Sequence, residues 1–179
     1  FSWQKPDAPS SQKRSVYHGV RFLDSQNLQV SRLQANRISN PAYSVIDFGS
    51  YVSKKAEGTI IANSNVSSQI LPTSFDKNKS LLVMTTETST NNNGNALARC
   101  DFENNEVTCT KSGNGGGLTI YYQIIEFSNS SGITVQHENI IPRIGGNTTQ
   151  ISNGVNVSNR LLVNCGKTDQ EGTASSGKN

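Results

Sequence analysis

Apolar positions along this chain do not recur at helical spacing. They fall in short runs bounded by turn-forming residues. Leu81-Leu82-Val83 is one such run and Leu161-Leu162-Val163 another. Leu118 to Phe127, rich in Ile and Tyr, carries the strongest strand signal. Asn91 to Asn95 and Gly113 to Gly117 read as loops. Short strands separated by frequent turn signals predict an all-β protein, an antiparallel β-sandwich of Ig-like or jelly-roll-like type.

The pattern also repeats itself. Tyr43-Ser44-Val45-Ile46-Asp47-Phe48 reads like Tyr122-Gln123-Ile124-Ile125-Glu126-Phe127, 79 residues later. Leu28-Gln29-Val30-Ser31-Arg32 matches Val107-Thr108-Cys109-Thr110-Lys111 at the same offset, and Arg21 matches Arg99 with one residue of slippage. Ser80-Leu81-Leu82-Val83 matches Arg160-Leu161-Leu162-Val163 at an offset of 80. Asn65-Val66-Ser67-Ser68 resembles Asn147-Thr148-Thr149-Gln150. Matches in order at a shared offset predict a true repeat of roughly 80 residues.

The frame of that repeat divides the chain into three parts. Residues 1–59 match the second half of a unit, 60–139 a complete unit, and 140–179 the first half of another. A half-unit leaves strand edges unpaired and an apolar face uncovered, both aggregation-prone. The two halves are therefore expected to close on each other, within one chain or between copies. The edges expected to form those ladders are Val16, Val20, Phe22, Leu28 and Val30 at the head, and Leu161, Leu162 and Val163 at the tail.

Composition narrows the function classes. Apolar residues make up 33% and charged residues 16%, and the remainder is mostly Asn, Ser, Thr and Gly, which suits short strands and turns. The net charge is +3, with basic residues scattered rather than striped, so no nucleic-acid partner is expected. No apolar run reaches the roughly 20 residues of a membrane helix. Phe1 opens no segment resembling a signal peptide, so any leader is expected to be gone already.

Three cysteines sharpen the picture. A two-residue turn at Asn104-Asn105 places Phe102 opposite Val107, Asp101 opposite Thr108 and Cys100 opposite Cys109. Cysteines facing each other on a hairpin are within disulfide reach, so a Cys100–Cys109 bridge is expected, pointing into the core. Glu103 opposite Glu106 argues mildly against this register, because facing like charges repel. A disulfide implies an oxidising compartment: extracellular space, periplasm or cell surface. Cys165 lacks a partner in this scheme and is expected to be a free thiol or a link to another chain. Glycosylation sequons lie at Asn65, Asn78, Asn129, Asn147 and Asn156, a number that composition alone accounts for.

Catalytic chemistry is not evident. His18 and His137 lie in different units without metal-ligand spacing. There is no nucleophile elbow, and Gly113 to Gly117 lacks the Lys-Ser/Thr that completes a phosphate loop. No cofactor and no enzymatic activity are expected. Asp47 and Glu126 occupy matching positions between apolar neighbours. Three roles are open to them: a solvent-facing acid, a buried acid that accepts backbone hydrogen bonds and pins a loop, or an acid assisting a Lys–Asn crosslink.

Tyr122 to Phe127, followed by Gly132-Ile133-Thr134-Val135-Gln136, resembles a motif of bacterial tandem-repeat β-sandwich surface proteins. The likeness covers about 15 residues per copy, and the first copy departs from it after Phe48. It implies a β-sandwich array at a cell surface. Together these readings predict a structural subunit of an extracellular filament, pilus-like fibre or surface array. Its partners are expected to be copies of itself, joined by strand complementation. The alternative is an adhesin or lectin-like module that binds cell-surface glycans through the two loops.

Overall fold

The computed structural model describes residues 19–31, 44–88, 98–111 and 117–137. Eight strands run through them: β1 (Gly19–Phe22), β2 (Leu28–Ser31), β3 (Val52–Ala62), β4 (Val66–Ile70), β5 (Ser80–Thr88), β6 (Ala98–Glu103), β7 (Glu106–Lys111) and β8 (Leu118–Phe127). Among the described residues helix is confined to short 3-10 turns. The fold is all-β. Two three-stranded antiparallel sheets, β3-β8-β5 and β4-β7-β6, pack face to face, and β1 and β2 form a separate hairpin.

Strand alternation builds the core. Along β8, Leu118, Ile120, Tyr122 and Ile124 all point inward and are buried, while Thr119, Tyr121, Gln123 and Ile125 take the other face. The facing sheet contributes Ala98, Cys100 and Phe102 from β6, and Val107 and Cys109 from β7. Gly58 lies opposite Tyr122 in the register of β3 with β8. A Cβ at Gly58 would meet Tyr122 Oη at 2.5 Å, so glycine is what lets the tyrosine ring lie over β3.

The β6–β7 hairpin has the register read from the sequence: Phe102 opposite Val107, Asp101 opposite Thr108, Cys100 opposite Cys109. Asn104 takes a positive φ of 52° at the turn. Cys100 and Cys109 are disulfide-bonded with their Cα atoms 4.0 Å apart, and both are buried. The objection from Glu103 facing Glu106 is met by Lys77, whose ammonium lies 3.5 Å from Glu103 and 3.0 Å from Asp101.

The domain boundary expected between residues 59 and 60 falls inside β3, one continuous strand paired with β8 from Val52 to Ala62. The sandwich therefore needs Val52 to Thr59 as well as the chain from Ile60 onward. The first half of β3, Val52-Ser53-Lys54-Lys55, is mostly polar and exposed, with Lys54 paired to Glu126 and Lys55 to Glu57. Apolar alternation could not announce it.

β4 is the inverse of an ordinary half-buried strand. Its outward positions are Val66 and Ile70, both exposed, and its less exposed positions are Ser67 and Gln69. Gln69 Oε1 is buried without a protein partner. A one-residue slip would reverse these faces, so the pairing with β7 from Val66↔Thr110 to Ile70↔Glu106, and not hydrophobic pattern, holds the register.

Candidate functional site

The residues singled out from the sequence fall into three places: an acid post at the end of β8, a docked hairpin, and an exposed apolar strip.

Glu126 is the post. It faces the sandwich interior and is nearly buried. Its Oε2 accepts the Asp76 N–H at 2.7 Å, Lys54 Nζ stands 3.1 Å from Oε1, and Ser53 Oγ donates to Oε1 at 3.3 Å. Burial pushes the carboxyl pKa up. The Asp76 N–H and the Lys54 ammonium outweigh that and hold it below the usual range. Of the three roles open to this acid, the loop-pinning one is what the geometry has.

The pinned loop joins the two sheets. Leu71 and Phe75 are buried, and their amides donate to Asn105 O at 2.7 Å and Asn104 O at 2.8 Å, at the β6–β7 turn. Lys54 Nζ also donates to Ser74 O at 3.1 Å. His137 secures the far side. Its Nε2 lies 2.9 Å from Ser80 O and 3.1 Å from Lys77 O, so the proton belongs on Nε2. Its ring meets Phe102 edge-on at 5.6 Å. This nitrogen is committed to backbone, and among the described residues no group of three His, Cys, Asp or Glu side chains could hold a metal ion.

The β1–β2 hairpin brings together four of the expected assembly residues: Val20 faces Val30, and Phe22 faces Leu28. Sequence reasoning expected these strands to await a complementary segment. Instead the hairpin lies on the outer face of β5 and β8. Thr85 Oγ1 accepts the Val20 N–H at 3.0 Å and donates to Val20 O at 3.1 Å. The carboxylate of Glu87, itself buried, accepts from Ser31 Oγ at 2.9 Å and Tyr121 Oη at 3.0 Å. Burial, reinforced by that carboxylate, pushes the Tyr121 phenol pKa up. Arg21 stacks over the Tyr121 ring at 5.5 Å, and a side chain at Gly19 would collide with the same ring. The sequence signal that could have found this dock is the polar trio Thr85, Glu87 and Ser31, which alternation alone assigns to solvent. A cleft of ≈ 160 Å³ remains beside β1, lined by Arg21, Phe22, Glu57, Val83, Tyr121 and Gln123.

The strip is Ser44 to Asp47. Its sequence matches β8, yet it is not a strand, and no described strand pairs with it. Val45 is 57% exposed and Ile46 54%. Its end is held where Phe48 packs edge-on against Phe127 at 5.1 Å. Asp47 Oδ1 accepts the Gly49 N–H at 2.8 Å, and Gly49 turns the chain away with a φ of +51°.

Val16, Leu161, Leu162, Val163, Cys165, Asn147, Asn156, His18 and both candidate loops apart from Gly117 lie outside the described residues. Asn65, Asn78 and Asn129 are exposed. Among the described residues, no helix is long and apolar enough to cross a membrane. The disulfide and that observation are compatible with a secreted protein. Comparisons with protein-family models, curated proteins and solved structures find no significant match to this chain.

Proposed function

We propose that this protein is a structural, non-enzymatic subunit of an extracellular filament, pilus-like fibre or surface array, and that its copies join by β-strand complementation. The observation that carries this reading is the Ser44–Asp47 strip, whose Val45 and Ile46 are held in water beside a completed sandwich. Large exposed apolar side chains on a strand-prone segment that pairs with no described strand invite an added strand. The outward Val66 and Ile70 of edge strand β4 extend the apolar surface available to neighbours. Fold and disulfide suit an oxidising exterior, where a sandwich with a pinned interior and little chemistry serves as a building block.

Electron microscopy of the purified protein tests the reading. Long regular fibres or ordered arrays are expected, and discrete monomers at high concentration would overturn it.

The cleft beside β1 supports a second reading, an adhesin or lectin-like module. It offers Tyr121 with Arg21, Glu57 and Gln123 close by, the aromatic-plus-polar chemistry that sugars favour. Against it, Arg21 already covers the Tyr121 ring and Gly19 abuts it, so no open stacking platform remains. Glycan-array binding that disappears in Tyr121→Ala while the fold persists would favour this alternative.

A further inference from the structure

The pairing of β5 with β8 supplies a template for what covers the strip. In that pair Ser80 faces Glu126, Leu81 faces Ile125, Leu82 faces Ile124 and Val83 faces Gln123. Ser80–Val83 has a sequence counterpart at Arg160–Val163, and Gln123–Glu126 has one at Ser44–Asp47. We infer that Arg160–Val163 of a second copy adds antiparallel to Ser44–Asp47 in this same register, with Arg160 opposite Asp47, Leu161 opposite Ile46, Leu162 opposite Val45 and Val163 opposite Ser44. The inference rests on the strand-complementation reading above and specifies its contact.

Three features of the molecule support it. The strip is exposed along its whole length and pairs with no described strand. The transferred register puts leucines against the two exposed apolar side chains, Val45 and Ile46. It also puts Arg160 across from the exposed Asp47, where the parent pair has Ser80 and Glu126. That position gains an opposite-charge pair, which stabilises a sheet when the partners face directly. Cross-strand aliphatic contacts and a main-chain ladder then give affinity, and the charge pair fixes register.

Single cysteines test it in a Cys165→Ser background. One chain carries Ile46→Cys and the other Leu161→Cys; a second mixture pairs Val45→Cys with Leu162→Cys. Adjacent positions of an antiparallel ladder alternate between close and wide pairs, so one of the two mixtures holds the shorter Cα separation. After mild oxidation, a disulfide dimer is expected in at least one mixture, above either chain alone and above the slipped pair Ile46→Cys with Leu162→Cys. Joining both cysteines of a facing pair on one chain should give a ladder of oligomers. A cross-link confined to a band of monomer mass would overturn the second-copy assignment and the fibre reading with it. Fibres without any cross-link in either facing pair would overturn the register and leave the fibre reading standing. A charge swap checks the register without cysteines. Arg160→Asp and Asp47→Arg should each raise the concentration needed for assembly by about two- to five-fold, and the double reversal should restore it. No rescue by the double reversal would count against the facing pair.

Discussion

Ser44–Phe48 and Gln123–Phe127 carry the same series of side chains: a polar residue, two aliphatics, an acid and a phenylalanine. They end in opposite states. The second lies in the central strand of its sheet, with β3 on one side and β5 on the other, and its Ile124 is wholly buried. The first pairs with no described strand and holds Val45 and Ile46 in solvent. Their acids diverge in parallel. Glu126 gathers donors from Ser53, Lys54 and Asp76, whereas Asp47 caps Gly49 two residues along its own chain. Strand-forming sequence therefore sets what a segment can become, and neighbouring strands decide whether it does so.

The largest test of this contrast is truncation of matched aliphatics. Ile124→Ala should cost about 2–5 kcal/mol, because it opens a cavity among side chains that cannot collapse into it. Val45→Ala, at the matching position, should change the stability of dilute protein by less than about 0.5 kcal/mol. Urea unfolding of the two variants measures both, and equal losses would mean that the strip is buried in solution.

The acids come next. Glu126→Ala leaves the Asp76 N–H without its acceptor and leaves Lys54 with Ser74 O alone, for a loss of about 1–2 kcal/mol. Asp47→Ala removes one exposed turn contact and should cost about 0.5 kcal/mol or less. The pH dependence has its sign from the direction of the shift. Glu126 is held below its ordinary value in the folded chain, so its contribution is fully present above the unfolded carboxyl pKa of about 4.3. It is lost as pH falls through the lower folded value. Glu126→Gln should flatten this part of the acid limb of the stability profile.

The smallest of the three main losses is expected at Phe48, the point where the two segments touch. Phe48→Ala removes the edge-on contact with Phe127, worth about 0.5–1.5 kcal/mol beyond area alone. Hydrogen exchange should show Ser44 to Asp47 losing what protection it has, while Gln123 to Glu126 keeps its own.

Some of this architecture is readable from sequence. The β6–β7 hairpin is, because a tight Asn-Asn turn fixes register and the cysteines then face each other. β8 is too, because its alternation is strong enough to stand alone. The role of Glu126 is not, since the amide that defines it belongs to Asp76, 50 residues away in sequence. Nor is the docking of β1–β2. It depends on the absence of a side chain at Gly19 and on a buried Glu87 satisfied by Ser31 and Tyr121, a polar contact that binary patterning assigns to the surface. β4 runs against simple alternation in the other sense, since its apolar Val66 and Ile70 lie outside.

The Cys100–Cys109 bridge has a mechanical side. It joins strands that are neighbours in one hairpin, nine residues apart in sequence. A chain drawn out by its ends cannot release the segment inside that bond, so the oxidised protein yields about 25 Å less length than the reduced one. The hairpin that closes the interior over Val107 thus stays a closed loop under tension, and stretching must begin in strands that lack such a clasp.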